Sequence, residues 1–282
     1  MLERQPRQEA IESIPFNQLT EEARVKLSRV VSQAAIYRRL PVTVVETDPD
    51  LYVFLVRYPE VVVNIWDLMG VTKVQVQRTG DFAFEATDGA GTSTRVELVY
   101  GDRKTHVYYA EGAYDGPLLG RLIQGRCVLV LKTDYQQTED GHVYATSRLD
   151  MFLQFDSIGA ELLARTLHPL VGKSADHNFV ESTRFLGQLS RAAEEKAIGM
   201  QQVVEQLTKV KPKVREQFAL ISALVNQRAA TRGELHLTSR RDTTRQWIDD
   251  DDVPPSSGNE SETTSETTED AQETLPELHL RR

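Results

Sequence analysis

The spacing of apolar residues changes twice along the chain, and each change predicts a change of secondary structure. Before Gly70 the apolar residues recur every three or four positions, which is typical of helices. From Val71 to Phe155 they alternate with polar residues in six runs separated by turn residues, and this alternation predicts six strands. After Phe155 the helical spacing returns and continues to Val225.

The N-terminal part has clear helix start and stop signals. Residues 1–16 contain two prolines and are expected to be irregular. Thr20 suits an N-cap, so the spacing predicts a helix from there to about Arg39. A short β-rich run, 42–47, follows, and two short helices are predicted within 48–70.

The C-terminal part is expected to contain three helical segments. The first begins at Asp156 or Ser157 and is interrupted at His168-Pro169, and Gly172 is expected to end it. The second runs from Ser174 to about Lys196. In the third, apolar residues recur from Met200 to Val225, and Pro212 must kink or split the helix.

The net charge of −9 belongs to one end of the chain. Residues 249–282 hold eleven acids and two bases, so residues 1–248 hold 31 acids and 31 bases. The stretch 256–274 has no large apolar residue and cannot bury enough surface to offset its entropy, so it is expected to be disordered. A neutral body also argues against binding nucleic acid through bulk charge.

Composition excludes several other classes. No apolar run approaches the roughly 18 residues of a membrane helix, and the first ten residues lack the apolar run of a signal peptide. One cysteine, Cys127, cannot form an internal disulfide and is expected to be a small buried hydrophobe. We therefore expect a cytoplasmic protein without a membrane span.

The order of elements predicts an α+β fold. A strand, two short helices, six antiparallel strands and a long helix favour a curved antiparallel sheet of about seven strands gripping the long C-terminal helix, with extra N- and C-terminal helices. The expected domains are an N-terminal extension and helix (1–41), the sheet-and-helix domain (42–198), a basic helical region (199–248) and an acidic tail (249–282).

Three stretches carry a resemblance to a known superfamily. Val42 to Leu55 reads as a strand followed by a capped helix, Arg57-Tyr58-Pro59-Glu60 through Trp66 as a second short helix, and Asp176-His177-Asn178-Phe179 through Glu194 as a closing helix. Over residues 42–198 this resembles the START-like, or SRPBCC, superfamily with its helix-grip fold. The chain departs from the pattern in its early helix, the interruption at His168-Pro169 and the additional C-terminal helices.

The resemblance implies a cavity for a hydrophobic ligand between the sheet and the long helix. Members of the superfamily include lipid carriers, hormone receptors, cyclases and dehydratases, so the fold does not choose the function. The first hypothesis is non-catalytic binding of a small apolar or amphipathic ligand. The second is a structural or protein-interaction module with a filled cavity, and the third is a cyclase- or dehydratase-type enzyme.

Motif searches favour no catalytic, cofactor or metal site. Gly172-Lys173-Ser174 lacks the earlier glycine and the preceding strand of a phosphate-binding loop, and Gly89-Ala90-Gly91 lacks the third glycine of a dinucleotide site. His177 and Glu181 have a spacing that permits a shared metal, but a third ligand is not evident. His106 and His142 lie on predicted strands and are expected to face solvent.

Candidate ligand-binding residues come from the polar and aromatic positions of the strands. Arg126 and Arg148 would approach each other if the last two strands pair around Gly141, and inward-facing guanidinium groups would anchor an anion. The alternative places both on an outer, solvated face. The full candidate set is Arg126, Arg148, Tyr109, Phe152, Phe84 and Trp66.

The C-terminal region combines an apolar stripe with a basic character. Residues 203–248 hold nine bases and four acids, a net charge of +5, directly before the acidic tail. The stripe from Val203 to Val225 must be buried against the body, a partner or a second copy. A protein partner or self-association through residues 199–230 is therefore one expectation.

Overall fold

The structure is a computed structural model that describes residues 4–117, 122–156 and 168–246, and the side-chain surroundings of these residues except 168–171 and 234–246. The chain divides into two units, 1–239 and 240–282, and the first contains the whole sheet. No helix of the described part is long and apolar enough to cross a membrane.

Seven α-helices are described. Thr20 accepts a hydrogen bond from the amide of Ala23 and so caps the second helix, and Asp48 caps the third in the same way. The helices are α1 (Arg4–Glu12), α2 (Glu21–Gln33), α3 (Pro49–Arg57), α4 (Pro59–Leu68), α5 (His168–Glu195), α6 (Ala197–Gln206) and α7 (Pro212–Gln246).

Eight antiparallel strands form one sheet. They are β1 (Ile36–Arg39), β2 (Thr43–Glu46), β3 (Gln75–Arg78), β4 (Ala83–Thr87), β5 (Thr92–Gly101), β6 (Thr105–Tyr114), β7 (Ile123–Gln137) and β8 (Val143–Phe155). The order is β1-β8-β7-β6-β5-β4-β3, and β2 also pairs with β8. All six strands predicted after Gly70 are present, and the α+β fold class with an antiparallel sheet and a long helix is confirmed.

The edge of the sheet beside β8 differs from the prediction. The helix expected to reach Arg39 ends at Gln33, and residues 36–39 form β1. Ile36 of β1 pairs with Leu153 of β8. Strand β2 continues this antiparallel pairing with β8 after a register shift of one residue. Pro41 lies in the gap, where its missing N–H costs the ladder no bond. Pairing with β8 therefore decides the conformation of residues that local spacing had placed in a helix.

The two faces of the sheet are covered by different helices. On β7, Val128 and Val130 point to one side, while Leu129 and Leu131 point to the other, as the alternation of a strand requires. We call the first side the α2 face and the second the α5 face. The helix-grip arrangement expected from the resemblance is present, because the long helix α5 packs against β2 and, through Phe179, against Leu131 of β7 and Met151 of β8.

The α2 face is closed by the N-terminal helices. Leu27 and Val30 of α2 and Ala10 of α1 are fully buried against Val128 and Phe152. Residues 4–12, expected to be irregular, are helical because this apolar surface gives them a place to pack.

A buried carboxylate ties α1 to the sheet. Asp150 is fully buried, and its Oδ1 accepts hydrogen bonds from the Tyr37 hydroxyl at 2.7 Å and from Arg39 Nε at 2.8 Å. Arg39 in turn donates to Glu9 and to the Pro6 carbonyl of α1. Burial, with the adjacent Asp150 carboxylate, raises the pKa of Tyr37, so its hydroxyl keeps the proton that it donates.

The C-terminal helices complete the α5 face. The apolar stripe of residues 200–225 is buried against α3, α4 and α5, through Met200, Leu207, Val210, Val214, Phe218 and Val225. Pro212 splits the segment as predicted and begins α7. The stripe is thus buried against the body of the protein.

Gly172 corrects a further expectation. It was expected to end a helix, but α5 begins at His168 and runs through it. A Cβ atom at this position would lie 3.1 Å from an Arg38 guanidinium nitrogen. The glycine therefore gives space for Arg38, which forms an ion pair with Asp176 one turn further along α5.

Candidate functional site

A half-open cleft of about 710 Å³ lies between α3, the end of β5 and α7. Val53 and Phe54 of α3, Leu98 of β5 and Ile221 of α7 give it apolar walls. Phe82 forms part of its rim and is 65% exposed. We call this space the α3–α7 cleft.

Aromatic stacking fixes the inner wall of the cleft. Phe54 stacks on Tyr58 with ring centroids 4.7 Å apart and on Phe218 of α7 with centroids 5.8 Å apart and planes nearly parallel. Phe218 is fully buried. Asp48 caps α3 just before Pro49, and α7 begins at Pro212, so each of the two helices has a proline at its start, where its fixed φ favours the helix.

Arg57 supplies the positive charge in the cleft. Its guanidinium donates to the carbonyls of Gly101 at 3.2 Å and Asp102 at 3.0 Å, and its Nε donates to His106 Nε2 at 3.1 Å. These acceptors are neutral and orient the guanidinium. Two carboxylates, those of Asp50 and Asp81, also line the cleft, and that of Asp50 forms ion pairs with Arg103 and Arg228.

His106 lies beneath Arg57 and is 2% exposed, so the expectation that it faces solvent is wrong. It points to the α5 face of β6, which α3 covers. Burial first, and the positive charge of Arg57 second, lower the pKa of His106 to about 4. The imidazole is therefore neutral at pH 7, and its Nε2 accepts the hydrogen bond from Arg57.

A buried ion pair holds the other end of the cleft. Arg78 of β3 donates to both carboxylate oxygens of Glu60 at the start of α4, and both side chains are almost fully buried. Arg78 also donates to the carbonyls of Arg57 and Asp81, and its guanidinium lies over the Tyr58 ring. One side chain thus connects α3, α4 and the β3–β4 turn that carries Phe82.

The six residues predicted from the sequence lie elsewhere. Tyr109 and Phe152 are buried on the α2 face, where Phe152 packs against Tyr37. Phe84 is buried on β4, and Trp66 of α4 packs against Phe185 of α5. Neither these four nor the two arginines line the α3–α7 cleft, so their part in ligand binding stays a prediction.

The register of β7 and β8 separates Arg126 from Arg148. Arg126 pairs with Gln154 and Arg148 with Lys132, so the two arginines lie six positions apart along the same face. Both lie on the α2 face. Arg126 forms an ion pair with Asp156 at 2.8 Å, and Arg148 Nε lies 3.4 Å from Asp150. The expectation that they approach each other is wrong, because Arg126 lies 15 positions before Gly141 whereas Arg148 lies only seven positions after it, and strands that pair around this turn cannot place them opposite each other.

The residues that do form the cleft gave little sequence signal. Arg57 and Val53 lie on one short helix, whereas Ile221 of the apolar stripe and the neighbouring Leu220 lie on α7, far away in the chain. The exposed Phe82, next to the Gly80-Asp81 turn, is the one residue whose position beside a turn could have suggested a surface role.

Comparison with known proteins gives fold-level similarities only. No protein-family model and no curated protein matches the sequence. A solved structure of truncated norcoclaurine synthase from Thalictrum flavum is 13% identical, and the match covers 55% of this chain and 93% of that chain with a TM-score of 0.33.

Two further solved structures extend this comparison. Ara h 8.0201 is 11% identical over 52% of this chain and 99% of its own, with a TM-score of 0.28. The di-domain ARO/CYC protein BexL is 18% identical over 61% of this chain and 52% of its own, with a TM-score of 0.27. At these scores the fold assignment rests on the strand order and helix packing of this chain itself.

Proposed function

We propose that this protein binds a small amphipathic molecule, without chemistry, in the α3–α7 cleft. The observation that carries the proposal is the cleft itself, whose volume of about 710 Å³ is framed by mainly apolar side chains. Small-molecule sites typically enclose roughly 300–1,000 Å³ and use a few polar groups to orient the ligand. The resemblance implied a cavity between the sheet and the long helix α5, whereas the cleft proposed as the binding site lies between α3, the end of β5 and α7.

Arg57 is the group proposed to orient the ligand. Its guanidinium is held in place by neutral acceptors, so a carboxylate or phosphate on the ligand would add a charge-assisted hydrogen bond. The apolar part of the ligand would lie against Phe54, Leu98 and Phe82. The proposed ligand class is accordingly a molecule with an apolar body and one anionic group.

Two features favour binding over the alternatives. His106, whose pKa is strongly lowered, is 2% exposed and does not line the cleft. This position disfavours a direct role of the His106 imidazole as a general base. The stripe of α6 and α7 is used within the protein, which weakens the argument for a protein partner through residues 199–230. Both points support a binding module.

Native mass spectrometry of the purified full chain tests the proposal. We expect a co-purified molecule of a few hundred daltons that is lost on denaturation, and saturable binding of a fluorescent fatty acid by the stripped protein. Leu220→Trp, at the rim of the cleft, should weaken fatty-acid binding at least tenfold because the larger ring enters the cleft.

Ile198→Trp is the matched control, since Ile198 is an exposed apolar residue on α6 outside the cleft. It should bind the fatty acid as the unchanged protein does. Equal binding by both variants would show that the α3–α7 cleft is not the site.

A further inference from the structure

A second group of side chains, away from the α3–α7 cleft, has the composition of a metal site. Glu46 of β2, His142 before β8 and Glu194 of α5 each offer one ligand atom, and these atoms lie within 4.8 Å of one another. The three side chains are partly buried, with 27%, 35% and 18% of their surface exposed. They are far apart in the sequence, which is why no spacing indicated them.

The fold holds each side chain from a different element. The β7–β8 turn has Gly141 at a φ of +82°, and it directs His142 towards β2. His142 Nδ1 faces Glu46 Oε1 in close contact. Gly187 lets α5 pass close to β2, because a Cβ there would lie 3.2 Å from the Glu46 carbonyl oxygen. This close passage brings the last turn of α5, with Glu194, to the same end of the sheet.

Two arginines orient the carboxylates by their other oxygens. Arg232 donates to Glu194 Oε2 at 2.7 Å, and Arg191 donates to Glu46 Oε2 at 3.4 Å. Glu46 Oε1 is thereby left directed at the imidazole. Metal-ligating carboxylates are commonly held by such outer hydrogen bonds, which fix their geometry.

We propose that Glu46, His142 and Glu194 bind a divalent transition-metal ion, of which Zn²⁺ is the best fit. One imidazole nitrogen and two carboxylate oxygens suit zinc, whereas calcium and magnesium prefer oxygen ligands alone. The chain neighbours of His142, Gly141 and Val143, and the Arg232 partner of Glu194 line a second cleft of about 770 Å³.

The arginines also set the expected strength of binding. Arg191 and Arg232 offset the charge of the two carboxylates, so attraction to the cation is smaller than at an unpaired site. The imidazole nitrogen is then the ligand that separates zinc from magnesium, and His142 is the informative residue to change. This assignment does not depend on the function proposed for the α3–α7 cleft.

Titration calorimetry of the full chain with ZnCl₂, and separately with MgCl₂, tests the proposal. We expect one saturable zinc site and at least a tenfold preference for zinc over magnesium. His142→Asn and Glu194→Gln should each weaken zinc binding by more than the roughly 10–100-fold known for outer partners of a metal site. X-ray absorption of the zinc complex should show one imidazole ligand with oxygen ligands.

Matched controls separate this site from adventitious zinc. His177→Asn and Glu195→Gln change exposed residues of the same types on α5 and should leave the zinc affinity unchanged. Far-ultraviolet circular dichroism without zinc should be the same for all four variants. Zinc binding that survives both His142→Asn and Glu194→Gln, or that falls equally in the controls, would overturn the assignment.

Discussion

The two faces of the sheet are both covered by helices, but they are covered differently. On the α2 face, Val107, Val128, Val130 and Phe152 are fully buried beneath two helices, and a carboxylate network around Asp150 closes the packing. On the α5 face, five helices share the task, and their junction leaves the α3–α7 cleft. Phe82 and Leu220 remain more than half exposed there.

The difference shows where this fold places stability and where it leaves room for a ligand. Fully buried side chains, such as those of the α2 face, belong to the close-packed interior of a protein. On the α5 face, helices from separate parts of the chain meet at the α3–α7 cleft, and apolar surface stays open there. We call this junction the seam. Residues of the α2 face should therefore govern stability, and residues of the seam should govern binding.

The largest expected effect is the loss of packing on the α2 face. Phe152→Ala should lower the free energy of unfolding by about 3–5 kcal/mol, because it removes a fully buried ring and leaves a cavity. Urea unfolding followed by circular dichroism measures this. Val44→Ala is the control, since Val44 is 61% exposed on β2 and should change stability by less than about 0.5 kcal/mol. Similar losses in both would contradict the assignment of the α2 face as the closed core.

The next effect is a dependence of stability on pH that originates at the buried imidazole of His106, beneath Arg57. The pKa of His106 is lowered to about 4 in the folded protein, whereas an unperturbed imidazole titrates near 6.5. As the pH falls from about 6.5 to 4, the unfolded chain takes up a proton that the folded protein does not, so stability decreases by up to about 3 kcal/mol. Protonation of His106 would also remove the nitrogen that accepts the hydrogen bond from Arg57 and would place a second positive charge beside the guanidinium.

His106→Gln isolates this contribution, because an amide oxygen can accept the Arg57 hydrogen bond without titrating. We expect urea unfolding of the variant to lose less stability than the unchanged protein between pH 6.5 and 4, with the two curves parallel above pH 7. Parallel curves throughout would mean that His106 titrates normally.

The smallest effect on stability is expected at the rim of the cleft. Phe82→Ala should change the free energy of unfolding by less than about 0.5 kcal/mol, since the ring is 65% exposed. The same change should weaken fatty-acid binding about tenfold, which corresponds to roughly 1.4 kcal/mol. Fluorescence titration measures it. A Phe82→Ala protein that is less stable but binds the fatty acid normally would contradict the assignment of stability to the α2 face and of binding to the cleft.

Much of the fold could be predicted from the sequence, because its signals are local. Six strands follow from alternation and turn residues, and the caps at Thr20 and Asp48 place α2 and α3. Strand β1 could not be predicted, since Ile36–Arg39 continues a helical spacing and becomes a strand only by pairing with β8. Residues 4–12 were missed for the same reason, because their helix depends on packing against the α2 face.

The candidate sites were predictable to a lesser degree. The aromatic candidates Tyr109 and Phe152 were chosen for their type, but strand parity, which depends on register, places both on the face that α2 closes. The helix expected over residues 157–167 and the disorder expected of the acidic tail both concern residues outside the described part of the structure. Their behaviour stays a prediction.

By itself the sequence determined the order of elements, the neutral body with its acidic tail, and the need of the residue 200–225 stripe for an apolar partner, since each follows from composition and local spacing. Only the tertiary structure decided which face each strand residue takes, that the stripe packs on the protein's own helices, and that Arg57 and Leu220 frame one cleft. It also brought Glu46, His142 and Glu194 together. These contacts depend on strand register and on helix packing between segments that are distant in the sequence, and no local pattern encodes them.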